Sequence, residues 1–203
     1  MSETIQAAVI TALHQNCIIQ WKSSGVEYQY KDFYRLVEEN HGFNYQLWHA
    51  EDRARREDMG YEFVYLAKRE IDQCNQSRNN RMESMDEWLF SQLQPASFNA
   101  CPVNSESPGM IIDRLSILSL KSYHMHLQTQ RQDASEEHKK NCASKLAIIH
   151  QQLEQLTLCL NQLLDEIREK TRTFRIYHQF KMYNDPTLNP ELYEIGLPSQ
   201  TKS

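Results

Sequence analysis

Apolar residues recur every three or four positions along most of the chain, and the places where that rhythm stops divide it into five long helices. The first is predicted from about Glu3 to Trp21, with Val9, Leu13, Cys17 and Ile18 on one face and Ser23-Ser24-Gly25 ending it. A second begins near Asp32. Its stripe of Leu36, Asn40, Asn44, Leu47, Trp48, Glu51 and Arg55 keeps helical spacing but holds more polar than apolar residues, the composition of a face that lines something rather than one that fills a core. The third runs from Tyr61 to Leu93. Val64, Ile71, Cys74, Met82, Met85 and Leu89 form one arc that includes Arg78, and Lys68, Asp72, Asn75, Asn79, Glu83 and Asp86 form a polar stripe beside it.

The rhythm is lost between Gln94 and Ser107, where two Pro and several Ser and Asn mark a loop long enough to have a function. Ser107 as N-cap and Pro108 at the first helical position then open a fourth helix reaching about Gln130. It is apolar nearly all round, as a central buried helix is. Asp113, Arg114, Lys121 and His124 break this over about a third of its circumference. Asp133 with Glu136 reads as a capping box opening the last helix, which meets no Gly or Pro before Pro186. Leu146, Ile149, Leu153, Leu156, Leu160, Leu163 and Ile167 alternate spacings of three and four, a heptad seam. The seam serves either an antiparallel hairpin within the chain or an intermolecular coiled coil through which the protein would homo-oligomerise. The expected architecture is an all-α, single-domain helical bundle over residues 1–183, followed by an extended tail, 184–203.

Composition narrows this further. A chain of 203 residues makes one substantial core, and five Gly with six Pro leave too few turn-formers for a sheet protein. Nothing in it reads as a membrane span or a signal peptide, so a soluble, cytoplasmic protein is expected. Five scattered Cys without metal spacing read as reduced thiols, and a net charge of −5 argues against general nucleic-acid binding.

The charged arc on an otherwise apolar fourth helix requires partners, because an unpaired buried charge costs several kcal/mol. Helices two, three and four are therefore expected to converge polar faces. Arg78, Arg114 and Lys121 would supply cations, Asp72, Glu83, Asp86, Glu51 and Asp52 carboxylates beside Arg55, and Asn75 and Asn79 the remaining hydrogen bonds. Such a cluster is either a self-satisfied network that fixes helix register or a ligand pocket. Gly109 and Met110 offer amides at the fourth helix's N-terminus that suit an anion, although Glu106 stands there too. If the pocket is catalytic, Asp113 or Glu83 would be acid, base or metal ligand and His49 or His124 would move protons. Glu83 and Asp86 form an ExxD turn like half of the metal-binding pattern of helical nucleotide pyrophosphohydrolases. With His49 and Asp52 they are the residues that could hold a divalent metal.

Three stretches carry a resemblance to a known family. NxxLWxxEDxAR over Asn44–Arg55, KRxIDxxNQxRN over Lys68–Asn79 and SExPGxIIDRLSILxLKxYHM over Ser105–Met125 look like the hallmarks of a bacterial family of domains of unknown function, the DUF4254 type. Ser107 stands where the family turn has Thr, a change that preserves capping. The resemblance implies a helical protein encoded near glycosyltransferases of cell-envelope polysaccharide synthesis, hence a sugar phosphate or nucleotide sugar as ligand. It brings no catalytic residues with it. The first reading is thus a helical protein binding a small anionic ligand at the junction of helices two, three and four. A non-catalytic scaffold working through the heptad seam and a metal-dependent nucleotide hydrolase are the alternatives.

Overall fold

The computed structural model describes residues 5–180, 182 and 185–194. Among them run α1 (Ala7–Ser24), α2 (Asp32–Arg53), α3 (Tyr61–Leu93), β1 (Val103–Asn104), α4 (Pro108–Thr129), α5 (Glu136–Arg168), β2 (Thr173–Phe174) and α6 (Pro190–Tyr193). The protein is an all-α bundle, as its periodicity requires. No helix among the described residues is long and apolar enough to cross a membrane.

α2 and α3 pack side by side, as do α4 and α5, and α1 closes the bundle against α2, α4 and α5. The main core gathers Ile10, Leu13, Trp21, Val37, Met85, Leu89, Ile112, Leu115 and Leu164. α1 turns slightly from its expected face, since Val9 is exposed and Ile10 is fully buried. Buried Glu38 secures the α1–α2 connector, its carboxylate accepting from the backbone N–H groups of Gln29 and Tyr30 at 2.9 and 3.0 Å.

The heptad seam packs within the chain, and its burial is graded. Leu160, Leu163 and Ile167 are buried, whereas Leu146, Ile149, Leu153 and Leu156 are half-buried along the α4–α5 hairpin. The cap of α5 is Ser135, which accepts from His138 N, while Asp133 pairs with Arg131 instead. α5 also stops at Arg168, well before Pro186. Lys170 takes a left-handed φ of 60° and donates from Nζ to the Leu93 and Gln94 carbonyls at the end of α3. A cation at a helix C-terminus meets the negative end of its dipole, so this contact gives the chain a reason to leave α5 there. It then enters β2, which pairs in parallel with β1 through Val103↔Thr173 and Asn104↔Phe174. The stretch expected to be an extended tail contains the single turn of α6, capped by Asn189; residues 195–203 lie outside the described ones.

His14 and His41 stack in the core with ring centroids 4.5 Å apart, both fully buried, with His41 also on Trp21. Burial, and the neighbouring His41, hold His14 well below the usual histidine range, and burial lowers His41 to about 3. Both are therefore neutral in the fold. In the unfolded chain each takes a proton near pH 6.5, so the unfolded state binds more protons from there down to the lowered values, and stability falls as pH drops through that window. His14→Phe keeps a ring and removes a titrating group. Its melting temperature should lose less than the wild type's between about pH 7 and about pH 5, and equal losses in both would show that the pair does not govern acid sensitivity.

Candidate functional site

The polar faces of α2, α3 and α4 do converge, on Asp113. Its carboxylate is 4% exposed and Oδ1 accepts from Asn40 Nδ2 at 3.0 Å and Asn44 Nδ2 at 2.8 Å, with Arg78 Nε at 3.4 Å. Asn44 also donates to Ser116 Oγ at 3.0 Å, and Ser116 Oγ lies 2.7 Å from His41 Nδ1. The partners that sequence spacing assigned to Asp113 were largely different ones. Asn40 and Asn44, visible only as polar members of the α2 stripe, do the work expected of Asn75 and Asn79, which are half-buried on α3. Held by two amide donors from α2 and by the Arg78 guanidinium of α3 at ion-pairing distance, Asp113 is an anchor rather than an accessible acid or base.

Above this network opens a cleft of about 310 Å³. α2 lines it with Asn44, Leu47, Trp48, Glu51, Asp52 and Arg55, α3 with Arg78, and α4 with Ile117 and Leu120. Arg55 pairs with Glu51 at 2.7 Å. Trp48 stacks on His124 with centroids 4.3 Å apart and rings 9° from parallel, and His49 sits edge-on to His124 at 6.1 Å. Burial first, then His49, lowers the His124 pKa, and Asp52 opposes them. Counting Asp113 beneath, three carboxylates face two guanidinium groups, a net charge of −1.

The other expected members are elsewhere. Arg114 and Lys121 are exposed on the opposite flank of α4, where they line a groove against α5, and Arg114 pairs with Glu106 at 2.7 Å. Asp72 is exposed beside Arg69. Glu83 accepts from Gln179 N at 2.7 Å and lies 2.9 Å from His178 Nδ1, contacts made by the segment after β2. Asp86 is buried and accepts from Gly109 N at 2.6 Å. Burial pushes its carboxyl up to about 7 against the opposing hydrogen bonds from Ser107 and Gly109, with Glu83 adding to the rise. The amides expected to await an anion at this terminus are thus engaged, Gly109 by Asp86 and Met110 by Ser107 Oγ. A side chain at Gly109 would stand 2.6 Å from the Met82 carbonyl, which is why α3 and α4 can approach only at a glycine. With Glu83 and Asp86 so engaged, the ExxD turn presents no metal-binding pair. Among the described residues no three His, Cys, Asp or Glu are grouped to hold a metal ion.

Fold and cleft define a helical bundle with one mixed-charge depression between three helices. The family model described as "Protein of unknown function (DUF4254)" matches residues 34–176, and the chain belongs to that family. α1 lies outside the match. No curated protein and no solved structure matches the chain.

Replacing Asp113 by Ala leaves a guanidinium without its counter-charge and removes one acceptor from each of two buried amides. A broken buried ion pair costs about 3–5 kcal/mol, and the 23% exposure of Arg78 puts this one at or below about 3. Scanning calorimetry should therefore show a melting temperature lower by several degrees, whereas exposed Lys121→Ala stays within about 0.5 kcal/mol of wild type. A wild-type-like Asp113→Ala protein would mean that the network holds nothing in register.

Proposed function

We propose that this protein binds a monosaccharide phosphate in the α2–α3–α4 cleft. The observation that carries the reading is the composition of that cleft: guanidinium groups, carboxylates and an indole face share one small cavity. The α2 part of its lining is the set of residues Asn44, Leu47, Trp48, Glu51, Asp52 and Arg55 that spell the family stretch NxxLWxxEDxAR.

Each group has a chemical use. The Arg78 guanidinium, held from below by Asp113, presents a fork suited to a phosphate, with Arg55 at the rim to join it. Glu51 and Asp52 accept hydrogen bonds from sugar hydroxyls, and the apolar face of a sugar ring fits on Trp48. The net negative charge argues against a bare oxyanion, because inorganic phosphate adds anionic charge with only one or two hydroxyl donors, whereas a sugar offers the carboxylates several neutral ones. Size favours one of the two ligand classes implied by the family resemblance. A cavity of about 310 Å³ is at the lower end of the roughly 300–1,000 Å³ of small-molecule sites, which suits a sugar phosphate better than a nucleotide sugar. Such ligands are intermediates of envelope glycan assembly, and a cytoplasmic location belongs to the same reading.

The test is a calorimetric titration with glucose 6-phosphate, glucose and inorganic phosphate. The sugar phosphate should bind more tightly than either fragment. Arg78→Lys, which keeps the charge opposite Asp113 but not the fork, should weaken it about tenfold, or about 1.4 kcal/mol. Absence of binding, or affinity untouched in Arg78→Lys, removes this reading.

A further inference from the structure

We propose that the groove between α4 and α5 is a second ligand site and that it takes an oligophosphate. Its volume is about 910 Å³, close to the upper end of the small-molecule range, and it is separated from the first cleft by Ile117, which lines both. Three cations stand along it, Arg114 and Lys121 from α4 and Arg172 from the segment leading into β2. Glu106 pairs with Arg114 at 2.7 Å and Glu166 with Arg172 at 2.5 Å, so the end closed by the β1–β2 bridge is neutral but rich in guanidinium donors. Lys121 has no carboxylate within ion-pairing distance among the described residues, and the lining carries a net charge of +1.

This sign is opposite to that of the cleft, so an anion distinguishes the two. Its spacing sets the class of anion. Seven residues separate Arg114 from Lys121, about 10 Å along the helix axis, and a single carboxylate or phosphate reaches only one end of that span. A chain of linked phosphates carries charge at several points and can engage the Arg114–Arg172 end and Lys121 together. Half-buried Leu156 beneath, and the Gln152 and Gln155 amides on the α5 wall, leave room for whatever group the phosphates are attached to.

Cys159 lies exposed on this wall and supplies the readout, since Cys17, Cys74 and Cys142 are buried. In a Cys101→Ser background, mass spectrometry follows alkylation of Cys159 by N-ethylmaleimide with tripolyphosphate, orthophosphate or potassium chloride at matched ionic strength. Tripolyphosphate should slow the reaction severalfold, orthophosphate should not, and Lys121→Ala with Arg172→Ala should restore the full rate. Arg78→Lys, which disables the cleft, should leave protection intact, so the two sites fail independently. Unchanged alkylation in tripolyphosphate, equal protection by orthophosphate, or protection surviving in the Lys121→Ala/Arg172→Ala protein would each overturn the assignment.

Discussion

A carboxylate buried to 4% exposure costs free energy unless polar partners replace its water, and meeting that demand for Asp113 organises the centre of this fold. The amide donors come from α2, the opposing charge from α3, and the acceptor from α4. No one of these helices can slide by a residue without breaking the set, because the next side chain along points elsewhere. A buried ion pair of this kind is weak evidence for stability, and its better-attested role is to fix register. Here that register also has a chemical consequence, since it places the partly exposed Arg78 guanidinium in the lining of a cleft.

The same logic recurs one turn earlier, at the start of α4. Asp86 and Ser107 occupy the N–H groups of its first turn, and Gly109 permits α3 to come within touching distance. Downstream, Lys170 ties the end of α5 to the end of α3, and the short β1–β2 pairing closes the loop. α4 is therefore held at its start by a cap from α3 and one turn further on by Asp113, and its two flanks are left to face α2 with α3 on one side and α5 on the other.

Much of this was legible in the sequence and some of it could not be. Helix starts at Asp32, Tyr61 and Pro108 follow from local signals, and the polar stripe of α2 announced a lined cavity before any packing was known. Arg114 and Lys121 were misplaced for a definite reason. Helical spacing puts them on one arc with Asp113, but that arc spans Ile117, where the wall between two depressions stands, and only the neighbours decide which side chain falls on which side. Asp86 looked like half a metal site because a carboxylate that caps a distant helix has no local signature. Nor does the sequence mark Glu38 as the clamp of a connector, since its partners are backbone groups without side-chain identity.

The division of α4 into two flanks has an electrostatic outcome that neither flank shows alone. On one side Asp52 has no cation in ion-pairing distance among the described residues while Glu51, Arg55, Arg78 and Asp113 are paired; on the other Lys121 is the unmatched charge. The two unmatched residues have opposite sign and are separated by an apolar side chain that both cavities touch. At partly exposed sites a charge of one sign repels ligands of the same sign by an amount that salt screens over about 8–10 Å. On the proposed readings, each depression would therefore select by charge before any contact is made. A purely anionic ligand would be turned from the cleft toward the groove, and one that also brings hydroxyl or amino donors would enter the cleft. Selectivity of that kind needs no difference in helix geometry between the two sides, only the placement of one aspartate and one lysine on either flank of Ile117.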